Sequence, residues 1–274
     1  MKSASFLQRP LLKFVSASCL GLATICLSFG QTAVTPGGVV NAASFVNGQP
    51  VAPGSIVAIF GTQLASQLAL ADSVPLATSL AGVSVTFNNI KAPLQFVSTG
   101  QINAQVPLEV NPSGSANMVV NNNGNLSTVT SVPMALLAPG VFQFNSHAIA
   151  VNVTDPNSQR YATISAPSGS ISGLTTFPAQ VGDTLFLYAT GLGPVTPAVP
   201  TGAAATGATS TNNTPTVLVG GVPAKVTFSG LAPGYPGIYQ VNFVIPSVPS
   251  GSAIPLQIQM GGITSPNTTN IAIQ

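Results

Sequence analysis

The sequence predicts an all-β protein made of two tandem β-sandwiches, and three observations carry that reading. One strand-like motif occurs twice, as Gln101-Ile102-Asn103-Ala104-Gln105-Val106-Pro107 and as Gln240-Val241-Asn242-Phe243-Val244-Ile245-Pro246. Each copy is apolar at alternate or successive positions and stops at a proline, which cannot donate to a ladder. Short β-branched and aromatic runs recur along the chain between Gly, Pro and Asn clusters, the spacing of a sandwich rather than of an α/β fold. Four blocks also follow one another in the same order in both halves, which marks an internal repeat.

The chain has 274 residues, enough for two domains of about 100–150 residues with a core each. Charged residues are 4% of it and apolar ones 45%, against roughly 25% charged in ordinary soluble domains. Ser, Thr, Asn, Gln and Gly stand in for the missing charge, and the apolar content argues against disorder.

Lys2, Arg9 and Lys13 precede an apolar run over residues 14–29, followed by small residues. This is the pattern of an export signal over residues 1–30, with a cut before Gln31 or after Ala33. The run is short for a span of about 20 residues, so a membrane enters only if the leader stays as an anchor. Cys19 and Cys26 lie inside it, and the flanks of neither suit lipid attachment. The mature chain then has no thiol for a disulfide, a metal or a nucleophile. Beyond the leader, Lys91, Arg160 and Lys225 stand against Asp72, Glu109, Asp155 and Asp183, a net charge of −1. No basic patch remains for nucleic acid.

The first sandwich is expected over residues 38–140. Residues 39–45 open it as a strand. Pro53-Gly54 is turn chemistry and launches Ser55-Ile56-Val57-Ala58-Ile59-Phe60, which Gly61 ends. Residues 63–81 form a long connection with a helical turn over 64–70. Val83, Val85 and Phe87 alternate onto one face, Asn88-Asn89 turns the chain, and residues 92–97 return as the hairpin partner. Met118-Val119-Val120 runs to a second tip at Asn123-Gly124, and residues 127–132 complete the unit.

The second sandwich, residues 141–274 with a connecting hairpin, repeats the plan. Residues 181–192 align with 53–64, residues 217–224 with 85–92, and residues 249–252 with 111–115; the two Gln-x-Asn strands align with each other. Residues 147–153 read as a hairpin arm turning at Asp155-Pro156-Asn157, and residues 194–214 as a mobile loop.

The stretches Ile59-Phe60-Gly61-Thr62-Gln63-Leu64, Val219-Gly220-Gly221-Val222-Pro223-Ala224 and Tyr239-Gln240-Val241-Asn242 through Pro246 resemble IPT/TIG immunoglobulin-like domains. Residues 39–45 and Tyr188-Ala189-Thr190-Gly191-Leu192-Gly193 are similar, more specifically, to a C-terminal domain family of Solibacter-type acidobacterial exported proteins. The resemblance covers residues 38–274 and implies two tandem immunoglobulin-like (IPT/TIG-type) β-sandwiches in an exported protein, with no catalytic residues to carry over. The first unit departs from the pattern, with Asn88-Asn89-Ile90-Lys91 where Gly-Gly-x-Pro is expected.

Candidate chemistry is sparse. His147 is the single histidine. A catalytic triad needs an imidazole held by a carboxylate beside a serine. Asp155 is the local candidate, yet no Gly-x-Ser-x-Gly elbow follows a strand, so His147 reads as a hairpin residue without chemistry. The four carboxylates are isolated in sequence, unlike a glycosidase pair or a calcium cluster. Asp155 and Asp183 read as turn-forming. No catalytic residue, cofactor or metal ligand is assigned.

Tyr235-Pro236, between Pro233-Gly234 and Gly237, is the candidate contact: an exposed ring for a sugar or a partner side chain. Asn103 and Asn242 read as structural amides bonding nearby backbone where the strands bend. Glycosylation sequons begin at Asn125, Asn152, Asn212 and Asn267, as expected by accident in so Asn- and Thr-rich a chain. Taken together, the sequence points to an exported, secreted or cell-surface, non-enzymatic module for binding or adhesion through loops and edge strands. Its partner is an extracellular protein, a polysaccharide or another copy of itself. A polysaccharide-binding or hydrolytic protein and a structural spacer are the alternatives.

Overall fold

The computed structural model describes residues 30–266 and 269–274; the leader residues 1–29, with Cys19 and Cys26, and Asn267 lie outside the described residues. Among the described residues the regular elements are strands, and none is an α-helix. The first unit contributes β1 (Ala33–Asn41), β2 (Ile56–Thr62), β3 (Ala69–Leu70), β4 (Val83–Phe87), β5 (Ile90–Lys91), β6 (Leu94–Val97), β7 (Gln101–Gln105), β8 (Ser115–Asn122), β9 (Asn125–Leu126) and β10 (Thr130–Pro133). The second contributes β11 (Gly140–Val141), β12 (Gln143–Phe144), β13 (His147–Ala148), β14 (Ala150–Asn152), β15 (Thr184–Thr190), β16 (Val195–Thr196), β17 (Ser210–Thr211), β18 (Thr216–Val219), β19 (Val222–Leu231), β20 (Tyr239–Val244), β21 (Gly251–Met260), β22 (Ile263–Thr264) and β23 (Thr269–Ile273).

In the first unit, the sheet β1-β2-β7-β6-β3 faces the sheet β10-β8-β4-β5. Inward residues such as Val57, Ile59, Ile102 and Ala104 meet Val83, Val85, Phe87, Met118 and Val120 in one buried cluster. The second unit has its own cluster, in which Leu185, Leu187, Val241 and Phe243 meet Val217, Val219, Leu256 and Ile258. Period-two alternation produces both: in β4 and in β15, every second side chain is buried.

The two units share registers as well as strand order. Phe60 pairs with Gln101 and Ala58 with Asn103 across β2 and β7; Tyr188 pairs with Gln240 and Phe186 with Asn242 across β15 and β20. Asn88-Asn89 and Gly220-Gly221 form equivalent two-residue turns, all four residues at positive φ (48°, 65°, 57° and 81°). That conformation favours glycine, and asparagine tolerates it through local bonding. Here the Asn88 side chain accepts the Asn117 N–H at 2.8 Å. A bulge falls between Leu94 and Phe96 in one unit and between Val226 and Phe228 in the other. In the second unit a further register shift falls between Gly251 and Ile254, where β21 meets β23.

Several expectations are corrected. Of residues 92–97 only Ala92 stays beside β4, its N–H donating to the Val85 carbonyl at 2.9 Å after Ile90–Lys91; the chain then crosses to the opposite sheet, where β6 pairs with β7. In the second unit the same path is one strand, β19, which pairs with β18 at its start and β20 at its end. Pro93 sits where the second unit has Lys225, and a residue without an N–H divides the path. Residues 64–70 form no helical turn: Leu64 and Ala65 are buried in the core, and Ala69–Leu70 pairs with the edge of β6. Asn103 and Asn242 bond side chains rather than backbone, each accepting from the glutamine two residues earlier at 2.8 Å.

Residues 194–214 are docked against the first unit rather than mobile. The Leu76 N–H donates to the Gly202 carbonyl at 2.8 Å, and the Gly202 N–H donates to Gln105 Oε1 at 2.6 Å. Thr201 accepts the Leu108 N–H and donates to Glu109. Elsewhere at the seam, Thr190 Oγ1 accepts the Ile56 N–H at 3.0 Å and donates to the Gly237 carbonyl at 2.7 Å. Ile238 packs against Val40, Ala42, Ile56 and Ala58, so the second unit covers that part of the first unit's outer face, while Phe60, Gln101 and Asn103 on the same face stay half-buried and the Phe60 ring lies 6.3 Å from the exposed Phe45 ring.

Candidate functional site: an aromatic and amide face on the second sandwich

On the second unit the same outer face is open along β15, β20 and β19, while Ile149 and Val151 at its β14 side pack against Ile164, Ala166 and Ile171. In β15 the sequence Thr184-Leu185-Phe186-Leu187-Tyr188 sends its leucines into the core and leaves Phe186 and Tyr188 half-buried on the outside. In β20 Gln240 and Asn242 are the outward residues. Directly opposed residues of an antiparallel pair project to the same side. The ladder therefore sets Val151, Phe186, Asn242 and Phe228 in one row, with Tyr188 beside Gln240 in the next.

The loop after β19 adds Tyr235, 56% exposed. Its ring lies 6.4 Å from that of Tyr188, which in turn stands edge-on to Phe186 at 5.3 Å. Phe142, Ile149, Tyr188, Tyr235 and Ile238 enclose a depression of about 270 Å³. Across β20, Gln240, Asn242 and Phe228 line a second hollow of about 480 Å³, bounded by residues 205–208. Burial, and then the neighbouring Tyr235, raise the Tyr188 pKa above the ordinary phenol value of 10.0, so its hydroxyl is neutral at physiological pH.

The sequence candidates separate here. Tyr235 is exposed on this face, whereas Pro236 is buried at the seam, where its carbonyl accepts from Gln95 Nε2 at 3.4 Å. Phe186 and Tyr188 were not singled out by sequence reasoning. Their signal is an outward aromatic at each position, new against Ala58 for Phe186 and shared with Phe60 for Tyr188.

The polar candidates have structural roles. His147 sits opposite Phe144 in the β12–β13 hairpin and beside Asn270 of β23, and its Nδ1 is buried without a hydrogen bond. Asp155 accepts the Asn157 N–H in an Asx turn at 2.9 Å. Asp183 does more than close a turn: its Oδ2 accepts the Gln180 N–H, Asn152 Nδ2 and Arg160 Nε, at 2.8, 2.7 and 3.1 Å. A buried carboxylate needs such compensation. Glu109 is engaged by Thr201 at the seam. Among the described residues, no three His, Cys, Asp or Glu side chains are grouped to hold a metal. Among the described residues no helix is long and apolar enough to cross a membrane.

No curated protein matches the chain. Among solved structures it is similar to the Bacteroides ovatus SGBP-B of a mixed-linkage glucan utilization locus, solved in complex with a mixed-linkage heptasaccharide. Identity is 9% and the TM-score 0.32, over 82% of this chain and 44% of that one, so the chain spans less than half of that protein's length. It is also similar to the I9-I11 tandem of titin, at 10% identity and a TM-score of 0.20, over 89% of this chain and 66% of that one. The chain is an all-β protein of immunoglobulin-like sandwiches, and residues 39–134, most of the first sandwich, match the IPT/TIG domain.

Proposed function

We propose that this chain is an exported, non-catalytic binding module, with sandwich units at residues 38–140 and 141–274, that holds an extracellular partner against the outer face of its second unit. One observation carries the reading: where Ile238 covers Ala58 on the first unit, the matching position of the second holds Phe186, in a run of rings with Tyr188 and the exposed Tyr235. The basic start, apolar run and small-residue exit of residues 1–30 support export. Tyr235 is the contact residue, and buried Pro236 fixes the loop that presents it. The face is favoured over the strand edges because the edges are blunted without charge. β3, β5, β11 and β12 have two residues each, β10 ends in Pro133, and β1 carries a register shift across Pro36.

The test uses residues 31–274 incubated with intact cell-envelope fractions. The wild type is expected to be retained, and Tyr188→Ala/Tyr235→Ala to be lost to the supernatant, with Tyr161→Ala as the control for an exposed tyrosine elsewhere. Equal retention of wild type and double variant would overturn the assignment of the face.

A further inference from the structure

We infer that the ligand of this face is a neutral polysaccharide, lying across β15, β20 and β19 with sugar rings against Tyr188 and Tyr235 and hydroxyls on Gln240 and Asn242. The inference rests on the binding-module reading and adds the chemical class of the ligand. Three features of the face select that class.

The first is the aromatic run. Phe186, Tyr188 and Tyr235 form a chain of rings with centroids 5.3 and 6.4 Å apart. Such rings bury apolar area at little cost in side-chain entropy, which suits the C–H faces of a sugar. The second is the amide pair. Gln240 Nε2 donates to Asn242 Oδ1 at 2.8 Å, which fixes both side chains and leaves each with further donors and acceptors. A hydroxyl both donates and accepts, so an array of hydroxyls matches this pair; a carboxylate only accepts and leaves the amide oxygens unmatched.

The third is charge and size. None of the residues lining either hollow is ionic at neutral pH. Lys225 lies at the far end of the face, level with Val244. The three strands span about 10 Å at a spacing of ~4.8 Å, and only two outward rows are used. That patch is far smaller than the roughly 800 Å² per partner of a standard protein interface. A second immunoglobulin-like unit is a poor fit too. In the first unit the covering segment is seated over Ala58, and Phe186 fills that space in the second.

The experiment is affinity electrophoresis of residues 31–274 through native gels containing hydroxyethylcellulose, arabinoxylan or galactomannan, with alginate and polygalacturonate as acidic counterparts. Retardation by at least one neutral polymer, and by neither acidic one, is the expected result. With each ring contributing a stacking term, Tyr188→Ala/Tyr235→Ala should weaken it on the order of ten-fold. Tyr188→Phe/Tyr235→Phe keeps the ring faces and should retain the affinity within about two-fold. Matching far-ultraviolet circular dichroism and a cooperative urea transition in the variants show that the loss is not unfolding. No retardation by any neutral polymer, stronger retardation by the acidic ones, or an unaffected alanine variant would overturn the inference. If envelope capture is lost in the alanine variant while no neutral polymer binds, the ligand class fails and the binding-module reading stands. If capture also survives the variant, both fail.

Discussion

The two sandwiches share one strand plan and use the same face in opposite ways. On the first, β2 presents Ala58 and Ile56, and the second unit's Ile238 closes over them with Gly237 beside it. A Cβ on Gly237 would lie 2.6 Å from Ile56 Cδ1 and 2.8 Å from the Gly54 carbonyl, so the approach depends on the missing side chain. On the second, β15 presents Phe186 and Tyr188, and the Thr184 N–H bonds Thr154 rather than a neighbouring unit. At Ala58 the first unit is small enough for Ile238 to close over it, and at the matching position the second has the Phe186 ring. Tyr188 matches another ring, Phe60, and the Gln-x-Asn amide pair is present on both, so the Ala58/Phe186 exchange makes the difference.

The largest test of that contrast asks whether the seam joins the cores energetically. Phe87 and Phe243 are the largest fully buried side chains, one in each core. Truncating either to alanine should cost about 3–5 kcal/mol. With Thr190, Gly202 and Ile238 tying the units together, both variants are expected to shift one cooperative calorimetric transition. Two transitions, only one of which moves in each variant, would break the single-body picture.

Transplanting the difference is the next step down. Ala58→Phe places the second unit's ring in the first unit's seam, where Ala58 has no exposed surface. Overpacking there should destabilise by about 1–3 kcal/mol. The reciprocal Phe186→Ala, half-buried and outward, should cost less in urea denaturation. Equal costs would mean that the two faces are not differently used.

Much of this plan was readable from residues, and the exceptions have local causes. The Gln-x-Asn strands, the alternation of Val83, Val85 and Phe87 and the Asn88-Asn89 turn follow from side-chain period and positive-φ tolerance, both local properties. The sheet crossing after Ala92 was misread because Pro93 removes a ladder donor without changing the apolar pattern. Residues 194–214 were read as mobile from composition, yet Gly202 is held between Leu76 and Gln105, partners more than 90 residues away. For the site, Tyr235 was legible from its Gly/Pro setting, but the burial of Pro236 came from a contact with Gln95 in the other unit. Phe186 and Tyr188 were visible as β-formers; their outward direction emerges only when β15 is set against β2.

A pH series separates the faces by chemistry. Tyr188 has a hydroxyl and its counterpart Phe60 has none. Because the folded Tyr188 pKa is raised above 10.0, the unfolded chain loses that proton first as the pH rises. The unfolded state then binds fewer protons, so stability is intact below pH 10.0 and declines above it. Buried Tyr239, whose hydroxyl donates to the Gly193 carbonyl, acts in the same direction. Tyr188→Phe is expected to make the decline in urea midpoint shallower, and an unchanged slope would assign the whole effect to Tyr239.

The smallest effect is the most discriminating for the doubling itself. Ser127 and Ser265 occupy matching positions after the second hairpin of each unit, and both are buried. Each hydroxyl accepts a strand N–H, from Val120 at 3.0 Å and from Ile258 at 3.2 Å. Each serine N–H returns a bond to the same residue's carbonyl, at 2.8 and 2.7 Å. Ser127→Ala and Ser265→Ala each leave one buried strand donor unpaired and should each cost about 1 kcal/mol, the low end for such a loss. The two hydroxyls lie in separate units and share no partner, so the double variant should show additive losses. Unequal single costs would mean that the matched geometry conceals different local packing, and the repeat would then extend to the backbone plan but not to its energetics.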